Sequence, residues 1–200
     1  MSEQLIIAIG REYGSGGHEI GEIIAKKLNL SFVDRSMLDD MFAHTGKHKD
    51  QMEKYEEDVA KPFLHKHVRG YTNSIEENLA EAQFSYIREK AASGESFVIV
   101  GRCGEAILRG NENMVSIFVL GDLYDKIQRV MKKYGLKEKE AIEKINRHDR
   151  KRKKYHNTYS DYKWGDSRGY DLCVNSSKLG VEGTAEVLCH YIEDVKERKK

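Results

Sequence analysis

A glycine-rich stretch near the start of the sequence, IIAIGREYGSGGHEIG at residues 6–21, has the residue types that hold anions. Gly14, Gly16 and Gly17 allow the backbone to turn sharply, so that successive amide groups point inward. The glycines follow an apolar segment and precede a helical pattern, and the amino end of a helix stabilises negative charge. The stretch therefore predicts an anion-binding loop between a strand and a helix, although a plain glycine-rich turn is an alternative.

This loop matches neither of the two common glycine-rich motifs for nucleotide phosphates. The Walker motif G-x-x-x-x-G-K-[ST] ends in a lysine and a hydroxyl residue. Here we place His18 and Glu19 at about those two positions, in a longer loop. The dinucleotide motif G-x-G-x-x-G, counted from Gly14, would need a glycine at Glu19, although Asp34 could serve as its ribose-binding acid. The pattern alone indicates phosphate binding without choosing a motif.

A second stretch that could act on an anion is KEKEAIEKINRHDRKRKKYHNTYSDYKW at residues 137–164, which is rich in arginine and lysine. Its apolar spacing stops at Ile145, and a helix without an apolar stripe has no face to pack into a core. The segment is therefore either a solvent-exposed helix or an arm, loosely held in the free protein, that closes over an anion. Nucleic-acid binding is an alternative for the basic run 151–154, but a single run on a nearly neutral chain favours the arm.

Five short apolar segments predict the strands that would position these residues. They are 5–9, 31–33, 97–100, 115–120 and 170–174. Their continuous apolar character indicates that both faces are covered, as in a parallel sheet between helices. Helical spacing follows the first glycines, runs from Ile75 to Tyr86, and returns from Val181 to Val195. Alternating strands and helices predict an α/β fold.

Length and composition fit one soluble domain with an insertion. The chain has 200 residues and a net charge of +1, which gives no general reason to expect nucleic-acid or membrane binding. Its apolar runs are too short to span a bilayer, and no export signal is visible at the start. The three cysteines form no CxxC pair, which fits a reducing compartment, so we expect a cytoplasmic protein.

Two regions interrupt the alternation of strands and helices. Residues 36–95 are mostly helical in pattern and too many for a crossover helix, so they predict an inserted lobe. The basic segment, taken as 137–167, is the second interruption. The predicted core is the remainder of the chain, at 1–35, 96–136 and 168–200.

Three stretches resemble the cytidylate kinase-like family, a branch of the P-loop nucleoside monophosphate kinases. The opening stretch resembles the variant phosphate-binding loop of that family. FVIVGRCGEAILRGNENMVSIFVLGD, at 97–122, looks like its third and fourth strands around a Gly-Arg pair. The stretch from INRHDRKRKKYH to VNSSKLG, at 145–180, looks like its arginine-rich lid, a Trp-Gly-Asp segment and the fifth strand. The resemblance implies a three-layer α/β/α P-loop kinase fold with a five-stranded parallel sheet.

The resemblance also implies a role for each group of residues. The loop would hold the donor phosphates, charges after the second and third strands would hold the acceptor, and the turn after the fifth strand would lie beside adenine. Arginines on the lid would reach the transferring phosphoryl group. The donor-phosphate residues are then Arg11, Gly14, Ser15, Gly16, Gly17 and His18; the acceptor residues are Asp34, Arg35, Arg102 and Cys103; the adenine-side residues are Asn175 and Ser176; and the catalytic residues are Arg147, Arg150 and Arg152.

The function implied by the resemblance is transfer of a phosphoryl group from ATP, with Mg²⁺, to a small acceptor such as the nucleoside monophosphate CMP. Cys103 stands where cytidylate kinases proper have an aspartate that helps to read the pyrimidine amino group, which separates this chain from them. Glu105 and Asp34 are the candidates for a Mg²⁺ ligand. The alternative is a non-catalytic nucleotide-binding regulator on the same fold, which the missing loop lysine and hydroxyl would favour.

Overall fold

The computed structural model describes residues 4–43 and 75–198, which form helices around one parallel sheet. The strands are β1 (Ile6–Arg11), β2 (Ser31–Val33), β3 (Phe97–Val100), β4 (Met114–Leu120) and β5 (Leu172–Asn175). The helices are α1 (Gly17–Lys27), α2 (Arg35–Ala43), α3 (Ile75–Ala92), α4 (Gly104–Ile107), α5 (Leu123–Tyr134), α6 (Glu138–Tyr159) and α7 (Gly180–Glu197), with a 3₁₀ turn at Ser167–Gly169 before β5. Among these described residues, no helix is long and apolar enough to cross a membrane.

The sheet has the strand order β2-β3-β1-β4-β5, and each neighbouring pair is parallel. The central strand, β1, pairs on one side with β3, where Ile6 lies opposite Phe97, and on the other with β4. Because all strands run the same way, their carboxyl ends meet at one edge. The loop after β1 and the turn after β3 therefore lie side by side, which is where an α/β sheet binds ligands.

The two faces of the sheet are covered by different helices, so the molecule has three layers. Ile7 and Ile9 of β1 pack into a core with α1 and α7, whereas Ile6 and Ala8 pack into a second core with α2, α3 and α4. Alternate residues of a strand point to opposite faces, which explains why β1 is apolar at every position. The expected three-layer α/β/α architecture with a five-stranded parallel sheet is confirmed.

The predicted strands are confirmed, with small differences at their ends. The first strand extends to Arg11 because Gly10 and Arg11 continue the ladder with Phe118 and Val119 of β4. The fifth strand begins at Leu172 rather than at residue 170, because the preceding residues leave the 3₁₀ turn and Asp171 binds the backbone and hydroxyl of Ser116 through its side chain. The three predicted helical stretches correspond to α1, α3 and α7.

The inserted lobe predicted for 36–95 is seen only at its two ends. The described ends are helical, as α2 and α3, and residues 44–74 lie outside the described residues. The division into core, insertion and lid stays a prediction.

Candidate active site

The glycine loop joins β1 to α1 and has the backbone conformation that its glycines predict. Gly14 has φ +82° and Gly16 has φ +78°, a region that side chains rarely tolerate. Gly16 is the residue that precedes α1, and Gly17 is the first residue of that helix. The loop therefore closes at Gly16 and ends against the amino end of α1, where amides and the helix dipole favour an anion.

This boundary changes the position we assigned to the missing lysine. The Walker lysine directly follows the last loop glycine, and the residue after it carries the hydroxyl. With Gly16 as the last loop glycine, Gly17 takes the place of the lysine and His18 that of the hydroxyl residue. Counted in this way, His18 lies one residue beyond the lysine position, and the spacing from Arg11 to Gly16 is that of a standard loop. A phosphate contact by His18 stays a prediction.

The side chain of His18 faces the acceptor side rather than the loop. Its Nε2 atom lies 2.8 Å from Oδ2 of Asp34, the residue that follows β2, and its ring contacts Phe32 edge-on. Burial alone would raise the pKa of Asp34, but hydrogen bonds from the Met37 amide, His18 and Ser36 outweigh burial and lower it. A carboxylate at this position is thus held ionised beside the imidazole.

Buried polar side chains hold the loop from beneath. The Ser176 hydroxyl, fully buried after β5, lies 2.6 Å from the carbonyl oxygen of Ser15 and 3.1 Å from that of Leu120. Ser176 therefore ties the turn after β5 to the loop. The neighbouring Asn175 side chain donates to Asp122 at 2.7 Å and accepts from the Ser177 amide at 3.0 Å, so it shapes the same turn.

Helix α5 contributes two cations to the loop that the sequence did not reveal. Lys126, which is 7% exposed, donates to Oε2 of Glu12 at 2.8 Å. Arg129 donates to the carbonyl oxygen of Gly14 at 2.7 Å. Both contacts are made across more than a hundred residues of sequence. The helical spacing of two cations on α5 is their only sequence signal, and it does not identify their partners.

Arg11 leaves the end of β1 and lies across the start of α1. Its guanidinium is packed against Gly101, where an added Cβ would lie 2.9 Å from its Cζ atom. Its Nε atom is buried and has no hydrogen-bond partner among the described residues. Burial, and then the nearby guanidinium groups of Arg152 and Arg102, lowers the pKa of Arg11 to about 9. The chain therefore holds a largely buried cation here that is not fully neutralised.

The turn after β3 places Arg102 beside the loop at the cost of backbone strain. Arg102 (φ +52°) and Cys103 (φ +54°) both adopt the left-handed region, which costs a residue other than glycine on the order of 1–3 kcal/mol. Nη2 of Arg102 donates to Oδ1 of Asp39 at 2.8 Å, and the guanidinium lies 5.2 Å from the Tyr155 ring centre. Its Nε is buried and unpaired within the described residues.

Two other acceptor-side residues are placed less favourably for contact with a ligand. Arg35 is exposed at the start of α2 and bonds to Asp39 at 3.0 Å. The Cys103 side chain is only 3% exposed, and burial raises the pKa of its thiol. Direct contact between Cys103 and an acceptor stays a prediction that this burial does not favour. Asp39, which joins Arg102, Arg35 and Gln83, was missed because nothing in its sequence surroundings sets it apart.

Of the three lid arginines, Arg152 is the one that reaches the site. It donates to the carbonyl oxygen of Arg11 at 3.2 Å, and its guanidinium lies 5.3 Å from the Tyr13 ring centre. Burial lowers the pKa of Arg152. Arg147 and Arg150 are exposed on α6. The expectation that the three cannot all reach one point agrees with this geometry, and their catalytic roles stay a prediction.

Helix α6 packs against the rest of the molecule, contrary to the expectation of a helix without a packed face. Tyr155 and Tyr159 lie against Phe84 of α3, with ring centres 6.4 and 5.0 Å away. His156 is buried and its Nε2 lies 2.6 Å from Oε1 of Glu105 in α4. The sequence rule failed because it counted aliphatic residues. This face is built instead from tyrosines and from His156, which pairs with the buried Glu105.

The proposed Mg²⁺ ligands are already engaged in protein contacts. Glu105 is buried against His156, with the Tyr170 hydroxyl at 3.5 Å, and Asp34 is bound by His18 and Ser36. The part of the chain that the structure describes contains no group of three or more His, Cys, Asp or Glu side chains able to hold a metal ion. The Glu105 and Asp34 side chains therefore do not form a ready metal site.

Comparison with known proteins identifies the family. Residues 6–178 match the model of the cytidylate kinase-like family. The chain belongs to this family. The sequence favoured a phosphotransferase of this family over a non-catalytic binder, and the family match supports the phosphotransferase. A relative from Methanococcus aeolicus, named cytidylate kinase, is 25% identical over 188 residues, which is 92% of this chain and 95% of the relative.

Solved structures of a related protein and of more distant kinases share this fold. An uncharacterised protein from Eubacterium ventriosum is 39% identical, with a TM-score of 0.75 over 95% of this chain and 99% of its own. Shikimate kinase from Bacteroides thetaiotaomicron is 16% identical, with a TM-score of 0.54 over 94% of this chain and 98% of its own. At that identity the second likeness concerns the fold alone.

Proposed function

We propose that the chain transfers a phosphoryl group from ATP to a small acceptor, a nucleoside monophosphate such as CMP. One observation carries the proposal: Arg11, Arg102 and Arg152 converge beside the glycine loop at the carboxyl edge of the sheet. Arg152 lies 3.2 Å from the Arg11 carbonyl oxygen, and the Arg11 guanidinium is packed on Gly101, the residue before Arg102. Phosphoryl transfer needs positioning and charge neutralisation above all, and guanidinium groups supply both.

In this arrangement the donor and acceptor phosphates would bind on two different sides of the carboxyl edge of the sheet. On one side the loop amides from Gly14 to His18 would hold the donor phosphates against the amino end of α1. On the other side Arg102, fixed by Asp39, would hold the acceptor phosphate through two parallel hydrogen bonds. Arg152 approaches from α6, above the boundary between the sides, and would bind the phosphoryl group during transfer.

Mg²⁺ accompanies the triphosphate in the proposal, and neutralisation of phosphate charge is the chemistry it would supply. Mg²⁺ keeps several waters and binds substrate phosphates with few protein ligands. Since Glu105 and Asp34 are engaged elsewhere, we assign no residue to it. Small nucleotides, rather than nucleic acid, are the expected binding partners.

The acceptor is the least constrained part of the proposal. The name of the Methanococcus aeolicus relative supports CMP. Against a strict cytosine preference, the place of the aspartate after the Gly-Arg pair is taken by Cys103, whose thiol is buried and held protonated. We therefore expect CMP among several acceptors rather than CMP alone.

A second function, nucleotide binding without catalysis, is supported by the loop itself. Gly17 and His18 take the places of the lysine and hydroxyl that most such loops use on phosphates and metal. The three clustered arginines favour the enzyme, because three cations at one edge exceed what holding a nucleotide requires.

The two functions are separated by assaying transfer and binding on the same protein. The chain is incubated with ATP, Mg²⁺ and each common nucleoside or deoxynucleoside monophosphate, and the diphosphate products are followed by phosphorus NMR. We expect product with at least one pyrimidine monophosphate, and loss of product in Arg152→Gln. Triphosphate binding by calorimetry without product from any acceptor would establish the non-catalytic function instead. If neither binding nor transfer is found, both functions are excluded.

A further inference from the structure

Relative to the Walker motif, two positions of the loop that are six residues apart have exchanged a glycine and a long cationic side chain. In G-x-x-x-x-G-K the first glycine and the lysine are separated in this way. With Gly16 as the last loop glycine, Arg11 stands at the first glycine position and Gly17 at the lysine position. The side chain missing at one end of the loop is thus present at the other end.

Side chains at these two positions would compete for the same space. A Cβ atom on Gly17 would lie 2.6 Å from the Cβ and 3.1 Å from the Cγ of Arg11, closer than real Cβ atoms approach. The next neighbour, the Cβ of Val119, would be 3.2 Å away and could yield by a small shift. A side chain at position 17 is therefore compatible only with glycine at position 11, and a side chain at position 11 only with glycine at position 17.

The Arg11 guanidinium lies where donor and acceptor sides meet. It crosses the start of α1 and rests on Gly101, whose φ of +85° and bare Cα leave room for it. The cations Arg152 and Arg102 lie nearby, while the nearby carboxylates Asp34 and Glu105 are held by His18 and His156. A largely buried and incompletely neutralised cation is costly, and an anion between these groups would offset that cost.

We propose that Arg11 replaces the missing loop lysine: its stem occupies the space that Gly17 leaves open, and its guanidinium binds the transferring phosphoryl group from the β1 side. This inference rests on the proposed transfer reaction. In that reaction an acceptor phosphate oxygen bonds to the γ-phosphorus, the bond from that phosphorus to the bridging oxygen breaks, and the diphosphate leaves with the electron pair. Arg11 stabilises the negative charge of the phosphoryl oxygens throughout and forms no covalent bond.

The test is a double-substitution cycle on the full chain. Arg11→Gly, Gly17→Lys and the double variant Arg11→Gly/Gly17→Lys are compared with the wild type for transfer rate and for triphosphate affinity. We expect each single variant to lose at least about 100-fold in transfer, as when one charge-stabilising donor is removed. The double variant has a Walker-type glycine and lysine, and should exceed Arg11→Gly by at least tenfold.

Two further variants separate loss of charge from loss of fold. Arg11→Gln keeps the stem that packs on Gly17 and should lose transfer as Arg11→Gly does, with an unchanged unfolding transition. Arg168→Gln removes an arginine that is 78% exposed and should transfer like the wild type. Arg11→Gln that transfers within threefold of the wild type overturns the proposal, as does a double variant no better than Arg11→Gly.

The outcomes distinguish this inference from the proposed function. If the wild type transfers and Arg11→Gln does too, the function stands and the role of Arg11 is wrong. If the wild type binds triphosphate without transferring, the four proteins are compared by their triphosphate affinity. The double variant should then bind triphosphate more tightly than Arg11→Gly. A wild type that neither binds nor transfers overturns both proposals.

Discussion

Arginine burial is the dominant feature at the scale of single residues. Arg11, Arg102 and Arg152 each bring a charge to one edge of the sheet, and two of them are oriented by a hydrogen-bond partner. Arg102 is fixed by Asp39, and Arg152 by the carbonyl oxygen of Arg11. Arg11 and Arg102 both have a buried Nε without a partner in the described residues. Spare donors of this kind are expected where an anionic ligand completes the site.

Arg102 gives the first prediction at this scale. Arg102→Ala should weaken binding of the best monophosphate by about 1.5–3 kcal/mol, the contribution of a hydrogen bond to a charged group. Arg102→Lys should recover only part of this, because an ammonium group lacks the planar fork. Calorimetry with monophosphate and with triphosphate measures both, and the triphosphate affinity should change little.

Arg109 provides the matched control for this prediction. It is exposed after α4 and stacks on Tyr162, at 4.4 Å from the ring centre. Arg109→Ala should leave monophosphate binding unchanged. If Arg102→Ala binds every monophosphate as tightly as the wild type does, Arg102 does not contact the acceptor.

Helix α6 is the element on which the site depends most. Its first half packs on α5 through Ala141 and Ile145, and its second half on α3 and α4 through tyrosines and His156. Between these contacts it meets the loop, where Asp149 accepts from the Tyr13 amide at 2.7 Å. Helix α6 thus contacts elements on both the donor side and the acceptor side of the predicted site.

Protection of α6 from amide exchange is a prediction at this scale. We expect slow exchange at residues 152–159 in the free protein, because Tyr155, His156 and Tyr159 are packed, and not the fast exchange that the sequence pattern suggested. Tyr159→Ala should speed exchange along this turn, while Lys153→Ala, on the exposed face, should not. Fast exchange in the wild type, slowed by donor and acceptor together, would support a lid that opens.

The contact between α6 and the loop should also depend on pH through His148. His148 stacks on Tyr13 with ring centres 4.2 Å apart. Burial, and then the nearby charges of Lys144 and Arg152, lowers the pKa of His148 from 6.5 to about 4. Between these values the unfolded chain binds more protons than the folded protein. This part of the stability is therefore complete above about pH 6.5 and is lost as the pH falls toward 4.

Comparison with His148→Phe measures this pH dependence. Phenylalanine keeps the stack on Tyr13 but cannot be protonated. The free energy of unfolding, followed by urea titration from pH 7 to pH 4, should fall more steeply for the wild type than for His148→Phe. If the free energy of unfolding falls equally with pH in both proteins, His148 has the same pKa in the folded and unfolded states, which would contradict this prediction.

At the scale of the whole molecule, a buried cluster joins three distant parts of the chain. Glu105 follows β3, His156 lies on α6, and the Tyr170 hydroxyl, before β5, is 3.5 Å from both Glu105 Oε1 and His156 Nε2. Tyr170 also packs against Phe118 of β4, and burial raises the pKa of its hydroxyl. This cluster fixes α6 against the sheet and so places Arg152 at the edge.

Breaking the Glu105–His156 pair is the prediction that belongs to this scale. Glu105→Leu and His156→Leu should each lower the free energy of unfolding by about 3 kcal/mol or more, because each leaves the other group buried without its partner. The double variant should lose less than the sum of the single losses, since neither polar group remains. Chemical denaturation measures all three proteins, and strictly additive losses would contradict the coupling. His190→Leu, at an exposed position on α7, should stay within about 0.5 kcal/mol of the wild type.

The sequence alone determined the sheet and the loop. Apolar runs such as FVIV and VSIFVL must be buried on both faces, which dictates strands between two helical layers wherever they occur. Gly14 and Gly16 were identifiable because positive φ is a property of glycine itself, independent of distant contacts. These are local features, and local features can be predicted from neighbouring residues.

Only the tertiary structure decided which side chains meet. It placed His18 on Asp34, Arg11 against Gly17 and Gly101, and Lys126 and Arg129 against the loop. It also gave α6 a packed face, through a histidine that finds its partner 51 residues away. A charged or aromatic side chain can be exposed or buried according to what lies opposite it, and the opposite residues come from other elements. Partners of this kind are absent from the local pattern, so the arginine cluster became visible only when the sheet brought its carboxyl ends together.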